Sequence, residues 1–301
     1  MTRGAITAVK SVRSSLRYLL ADIIGDDDCE PPFLPEGLSE AAASAVSEGI
    51  HLLMEYQSAS YAQLYVDRIK RFVRRSDVDA AMLCEIARLL AARMAYEDPI
   101  RIAQLKLLDL AMGRTGGRES DDLRRFRLEE LIGVLPQALA DSLLTGFEQI
   151  GWLGRRRLKL RFSIRSRLAV RRLRTMAGLR RWRLQSVRYG EERAWVERWL
   201  HMIARALDKQ PSAAPAIIAT ATMIHGQGDG YRQGLADWHA IINGLAKPTF
   251  DGVLPMPDLA AAIAEARAAA MPDPRQVALK RTIAQIRARA LSVGPNSDAA
   301  E

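Results

Sequence analysis

Apolar side chains recur every three to four residues along most of this 301-residue chain, and that period is the signature of amphipathic helices rather than strands. Tyr61, Leu64, Tyr65, Ile69, Phe72 and Val73 form one stripe, and Met82, Leu83, Ile86, Leu89, Leu90 and Met94 form a second. Later stripes run through Trp195, Val196, Trp199, Leu200, Ile203 and Leu207, and through Leu235, Trp238, Ile242 and Leu245. Ala-rich segments from Leu259 to Ala270 and from Arg275 to Leu291 extend the pattern. Asp98-Pro99 predicts a helix start, with Asp98 as N-cap and Pro99 in the first turn, where its missing N–H is not needed. A helix from Leu128 to Leu135 should break near Pro136, and Gly113, Gly116, Gly117 and Ser120-Asp121-Asp122 predict a polar connection. The expected fold class is all-α: a multi-helix domain over residues 38–293, followed by a frayed tail at 294–301. Residues 1–37 read as a basic amphipathic helix ending at Gly25 and an acidic, Pro-rich linker. That helix is either docked on the body or an acid-free organelle-directing leader.

One segment departs from helical period. Leu158, Leu160, Phe162 and Ile164 alternate with Arg157, Lys159, Arg161 and Arg165, which predicts an extended segment over 157–165 with its apolar side inward. No partner strand is evident in the sequence. The segment lies in an arginine-rich belt: no acidic residue occurs between Glu148 and Glu191, and residues 151–190 hold 14 of the 44 Lys and Arg. The other residues carry 30 basic and 35 acidic side chains, a net of −5. The overall +9 is therefore one basic belt on a mildly acidic body. Such a belt suits phosphates, with Trp182 and Tyr189 as stacking surfaces for nucleic acid. It equally suits an acidic protein partner or an anionic ligand, or a face neutralised by the body's own carboxylates.

Other chemistry finds little support. No apolar run approaches the roughly 18 residues of a membrane span. Two cysteines, Cys29 and Cys84, cannot build a disulfide framework or supply the usual four thiolates of an iron–sulfur cluster, and they suit a cytoplasmic location. His51, His201, His225 and His239 show no metal-ligand spacing, and pairs such as Glu97-Asp98 and Glu191-Glu192 diverge on a helix, so no catalytic residue and no metal ligand is assigned. The segment 225–234 places Gly226, Gly228, Gly230 and Gly234 within nine positions. It predicts a turn between the Ile217–Ile224 and Leu235–Leu245 helices, or a cradle for an anion at a helix N-terminus. No strand precedes it, so it is neither a dinucleotide fingerprint nor a P-loop.

Four collinear blocks resemble the C-terminal helical region of indolepyruvate ferredoxin oxidoreductase beta subunits. They are Glu48 to Arg68, Glu85 to Lys106, Leu179 to Leu200, and the glycine turn followed by Leu235, and together they span about residues 38–290. The resemblance implies an enzyme that oxidatively decarboxylates arylpyruvates to aryl-acetyl-CoA and passes electrons to ferredoxin. Thiamine diphosphate, iron–sulfur clusters and CoA would then belong to partner chains, with no cofactor bound by this one. The family's N-terminal gamma-type α/β domain has no counterpart in residues 1–37. In the glycine turn the family reads Lys-Gly-Tyr-Gly-Asp-Thr-His-Arg-Arg-Gly. Here His225, Gln227, Gly230, Tyr231 and Gln233 replace the lysine, tyrosine, threonine, histidine and second arginine, while the glycines and Asp229 remain. The resemblance implies a non-catalytic accessory subunit that docks other oxidoreductase subunits or holds an anionic ligand such as CoA. Its expected contacts are Arg180, Arg181, Arg183 and Arg188, then Asp229 and Arg232. The alternative is a nucleic-acid-binding or regulatory module using the 151–190 belt.

Overall fold

Side-chain caps set the starts of the first four helices. Ser39 accepts from Ala42 N–H to open α1 (Glu40–Tyr56), and Ser58 from Tyr61 N–H to open α2 (Ala59–Val73). Asp79 does the same for α3 (Ala80–Met94) at 2.7 Å, and Asp98 for α4 (Pro99–Ala111) at 2.6 Å, with Pro99 in the first turn as expected. Each cap satisfies an N–H that has no intrahelical partner. The computed structural model describes residues 30–113, 121–154, 156–226, 228–271 and 273–293. The expected N-terminal amphipathic helix, most of its linker and the 294–301 tail lie outside the described residues.

The chain divides into two compact units at Ala194/Trp195. In the first, α1 packs against α2 and α3. Gly49 of α1 admits the Tyr65 ring: a Cβ there would sit 2.5 Å from the Tyr65 hydroxyl, which donates to the Ala87 carbonyl at 3.2 Å. After α4 come β1 (Asp121–Arg127), α5 (Leu128–Gly133), α6 (Gln137–Gln149), β2 (Arg157–Ser163) and α7 (Arg167–Gly178). A 3₁₀ helix (Leu179–Gln185) then leads into α8 (Val187–Lys209). The helix broken near Pro136 is present as α5 and α6.

The extended 157–165 segment is β2, and it has the partner strand the sequence hides. β1 pairs with it antiparallel, from Asp121 opposite Ser163 to Arg127 opposite Arg157. The polar connection expected at Asp121-Asp122 is thus the start of a strand. Phe126 and Phe162 meet edge to face at 6.2 Å and bury against Ile102, Ala103, Ile164 and Leu173. The inward side is shorter than the alternation suggests: Phe162 is fully buried, Leu160 partly, and Leu158 is exposed.

The second unit contains the rest of α8, α9 (Ala214–Ala219) with a following 3₁₀ turn (Thr220–Met223), and α10 (Gly228–Ile241). α10 continues through a π-turn (Ile242–Ala246) into α11 (Lys247–Phe250), and α12 (Leu259–Ala268) and α13 (Val277–Val293) follow. Its core is built on tryptophans. Trp195 stacks on Trp199 at 6.0 Å and meets Trp238 edge to face at 5.3 Å. The buried indoles of Trp199 and Trp238 donate to the Ile217 carbonyl and the Thr220 hydroxyl, as buried Trp N–H groups require. Among the described residues the fold is all-α with one two-stranded ribbon, and no helix is long and apolar enough to cross a membrane.

Candidate functional site

Of the arginines expected to face a ligand, Arg183 does the opposite. Its side chain is 1% exposed, and all five of its N–H groups have an acceptor inside the first unit. Nε donates to Asp98 Oδ2 at 2.9 Å. Nη1 donates to the Tyr56 carbonyl at 2.8 Å and Gln57 Oε1 at 3.2 Å. Nη2 donates to Asp98 Oδ1 at 3.1 Å and Gln104 Oε1 at 3.3 Å. The guanidinium carbon lies 3.9 Å from the Tyr56 ring centroid, a cation–π contact that replaces part of the lost hydration. Gln57 donates in turn to the Arg180 carbonyl, and Gln104 to the Tyr56 carbonyl. Burial works against the charge, yet nearby Tyr56 and Asp98 hold the Arg183 pKa above its ordinary value. A guanidinium so enclosed has no donor left for a ligand, so Arg183 is a structural cation and not a contact residue.

Arg188 is also engaged. Its Nη2 lies 2.9 Å from Glu192 Oε1, outside hydrogen-bond alignment, while Arg93 Nη2 donates to Glu192 Oε2 at 3.0 Å. The Glu192 side chain is 3% exposed, so two cations flank one buried carboxylate. Tyr189, proposed as a stacking platform, is buried 6.2 Å from the Tyr61 ring and is unavailable to a base. Trp182 remains outside, 51% exposed, beside exposed Arg181. Arg180 is half-buried and lines a shallow pocket of about 440 Å³ with Glu55, Gln104 and Leu107.

The outward positive charge of the belt gathers on the ribbon and on α7. Because opposed residues of an antiparallel pair share a face, Arg125 and Arg127 of β1 lie beside Lys159 and Arg157 of β2, with Arg161 next along the strand. Arg125, Arg157, Lys159 and Arg161 are exposed. Arg161 forms an ion pair with Asp121, which lowers the Asp121 pKa through that hydrogen bond. Arg125 and Lys159 stand directly opposite, with no ion pair to either among the described residues. Arg172 of α7 donates to the Arg161 carbonyl, tying that helix to the ribbon. Exposed Arg171 and Arg174 lie on the same helix.

In the second unit the glycine turn is built as a tight corner. Gly226 and Gly228 have φ of +72° and +65°, a region open to glycine. Contrary to the sequence reading, α10 starts within the turn at Gly228. Gly234 is set against the Met223 carbonyl: a Cβ there would lie 2.2 Å from that oxygen. Asp229 and Arg232 are exposed on the first turns of α10. Asp229 borders a pocket of about 630 Å³ shared with His225, Gln233, Asp237 and Arg267. Sequence reasoning missed Asp237 and Arg267, which are far apart in the chain and belong to no motif. No group of three or more His, Cys, Asp or Glu among the described residues is placed to hold a metal ion.

Neither a curated protein nor a solved structure matches the chain. The sequence profile of one family does match, over residues 42–244, which takes in the Arg183 network, the ribbon and the glycine turn. The chain belongs to this family of unknown function, DUF6537.

Proposed function

We propose that this chain is a non-catalytic accessory subunit of an indolepyruvate-type, thiamine-dependent, ferredoxin-reducing 2-oxoacid oxidoreductase, and that its basic ribbon docks an acidic partner subunit. The observation that carries the docking role is the Arg125–Lys159 pair. Like charges placed directly opposite weaken a ribbon, and an acidic partner relieves that repulsion on binding. The oxidoreductase assignment rests on the four collinear blocks. Three of them supply Tyr56 and Gln57, Asp98 and Gln104, and Arg183, so the residues of the resemblance include those that form the buried network.

The electron-transfer groups belong to partner chains in this reading. The chain has two cysteines, and Cys84 is buried, which does not fit a cluster held by about four thiolates. Thiamine diphosphate, when bound in a partner, supplies the decarboxylation chemistry. Arg181, Arg180 and the ribbon cations are the groups here that can meet an acidic surface or the phosphates of CoA.

Affinity purification of the tagged chain from its host, with mass spectrometric identification, tests the proposal. An oxoacid oxidoreductase subunit should copurify and be lost from an Arg125→Glu/Lys159→Glu variant with an unchanged circular dichroism spectrum. Copurification of nucleic acid in place of such a subunit, or of neither, overturns it.

A further inference from the structure

Asp229, Asp237 and Arg267 line the pocket beside the glycine turn, and Asp237 and Arg267 do not pair with each other. Asp237 on α10 is 5% exposed. Its Oδ1 accepts from Gln233 Nε2 at 2.8 Å and Gln276 Nε2 at 2.7 Å, and Oδ2 has no hydrogen-bond partner among the described residues. No cation lies within ion-pairing distance of it among those residues. A carboxylate with so little exposure normally has a cation beside it. Arg267 on α12 lines the same pocket, donates from Nη2 to the Thr222 hydroxyl at 3.0 Å, and buries its Nε–H without an acceptor. It too has no carboxylate within ion-pairing distance among the described residues.

The rest of the lining joins the apolar Met223, Ala268, Ala270, Met271 and Pro274 to the polar His225, Asp229 and Gln233. The volume of about 630 Å³ lies within the range of small-molecule sites. We propose that this pocket binds a zwitterionic small molecule of the α-amino acid class with an apolar side chain. The ligand's ammonium donates to Asp237, its carboxylate accepts from Arg267, and its side chain packs on Met223 and Met271. Methionine is suited to such a wall because its unbranched thioether adapts to the shape placed against it. A simple anion would leave Asp237 unpaired and a simple cation would leave Arg267 unpaired; only a ligand carrying both charges compensates both groups. The proposal stands apart from the oxidoreductase reading, since it rests on the second unit alone.

Isothermal titration calorimetry of the full chain with leucine, methionine, phenylalanine and tryptophan tests it, alongside N-acetylphenylalanine and phenylalaninamide. At least one free amino acid should bind saturably. Removing either ligand charge should weaken binding on the order of tenfold or more, because a buried group in the site is then left unpaired. Asp237→Asn should lessen discrimination against the N-acetyl compound, and Arg267→Gln discrimination against the amide. If these variants fail to fold, the ligand series on the unmodified chain still decides. Absence of binding by every free amino acid at millimolar concentration, or equal binding by the N-acetyl or amide derivative, overturns the proposal.

Discussion

At the scale of single residues the buried arginine dominates. Arg183→Ala would leave the Asp98 carboxylate enclosed without its cation, and breaking such a pair typically costs about 3–5 kcal/mol. Denaturant unfolding should therefore show a markedly lower midpoint. Arg183→Lys should recover only part of the loss, since three ammonium donors cannot reproduce five donors in a planar fork. The neighbouring phenols give a pH signature. Burial pushes the Tyr56, Tyr61 and Tyr96 pKa values well up, against a smaller opposing effect of Arg183. The folded chain thus keeps these protons at a pH where unfolded tyrosines, with pKa near 10, lose them. Their contribution to stability is complete below about pH 10 and declines above it. Absorbance titration near 295 nm should show these three ionising only together with loss of helical circular dichroism; early ionisation of all seven tyrosines would contradict their burial. Asp98 was legible as a cap from Asp-Pro alone. Its second role was not, because Arg183 sits 85 residues away in a run of arginines that composition assigns to the surface.

Elements show where local pattern succeeds and where it stops. The helices over 59–73, 80–94 and 99–111 follow from apolar period and capping residues, which are local properties. β2 was readable from its alternation. β1 was not, because Asp121-Asp122-Leu123-Arg124-Arg125-Phe126-Arg127 carries one buried aromatic and otherwise mostly charge, and its strand state comes from pairing with residues 30 to 42 positions on. The pairing yields a paradoxical expectation. Lys159→Glu places opposite charges across the ribbon and should raise its stability by roughly 0.5 kcal/mol, while weakening partner capture; a variant that is both more stable and fully competent in capture would argue against a docking role. The glycine turn separates two kinds of glycine. Gly234→Ala forces a methyl onto the Met223 carbonyl and should destabilise by more than about 1 kcal/mol. Gly230→Ala meets open space within α10 and should be stabilising by roughly 0.5–1 kcal/mol. Thermal melts of the two variants read this contrast directly. The sequence showed that glycines were needed here, but not which one was needed for space and which for φ.

For the whole molecule, charge is the property that composition located best and interpreted least well. The basic belt of residues 151–190 is neither one surface nor one function. Arg183 is interior, Arg188 flanks a buried glutamate, and the outward charge gathers on the ribbon and α7, where Arg125 joins from outside the belt. Which of these arginines face water depends on long-range contacts, so no reading of the belt by itself could sort them. The docking proposal now rests on the ribbon face, centred on Arg125 and Lys159. Its most direct test is zero-length carbodiimide cross-linking of the complex purified from the host, followed by peptide mass spectrometry. A bond between Lys159 and an aspartate or glutamate of a 2-oxoacid oxidoreductase subunit is expected. A complex with that subunit in which cross-links form elsewhere and Lys159 stays freely modifiable would contradict docking through the ribbon.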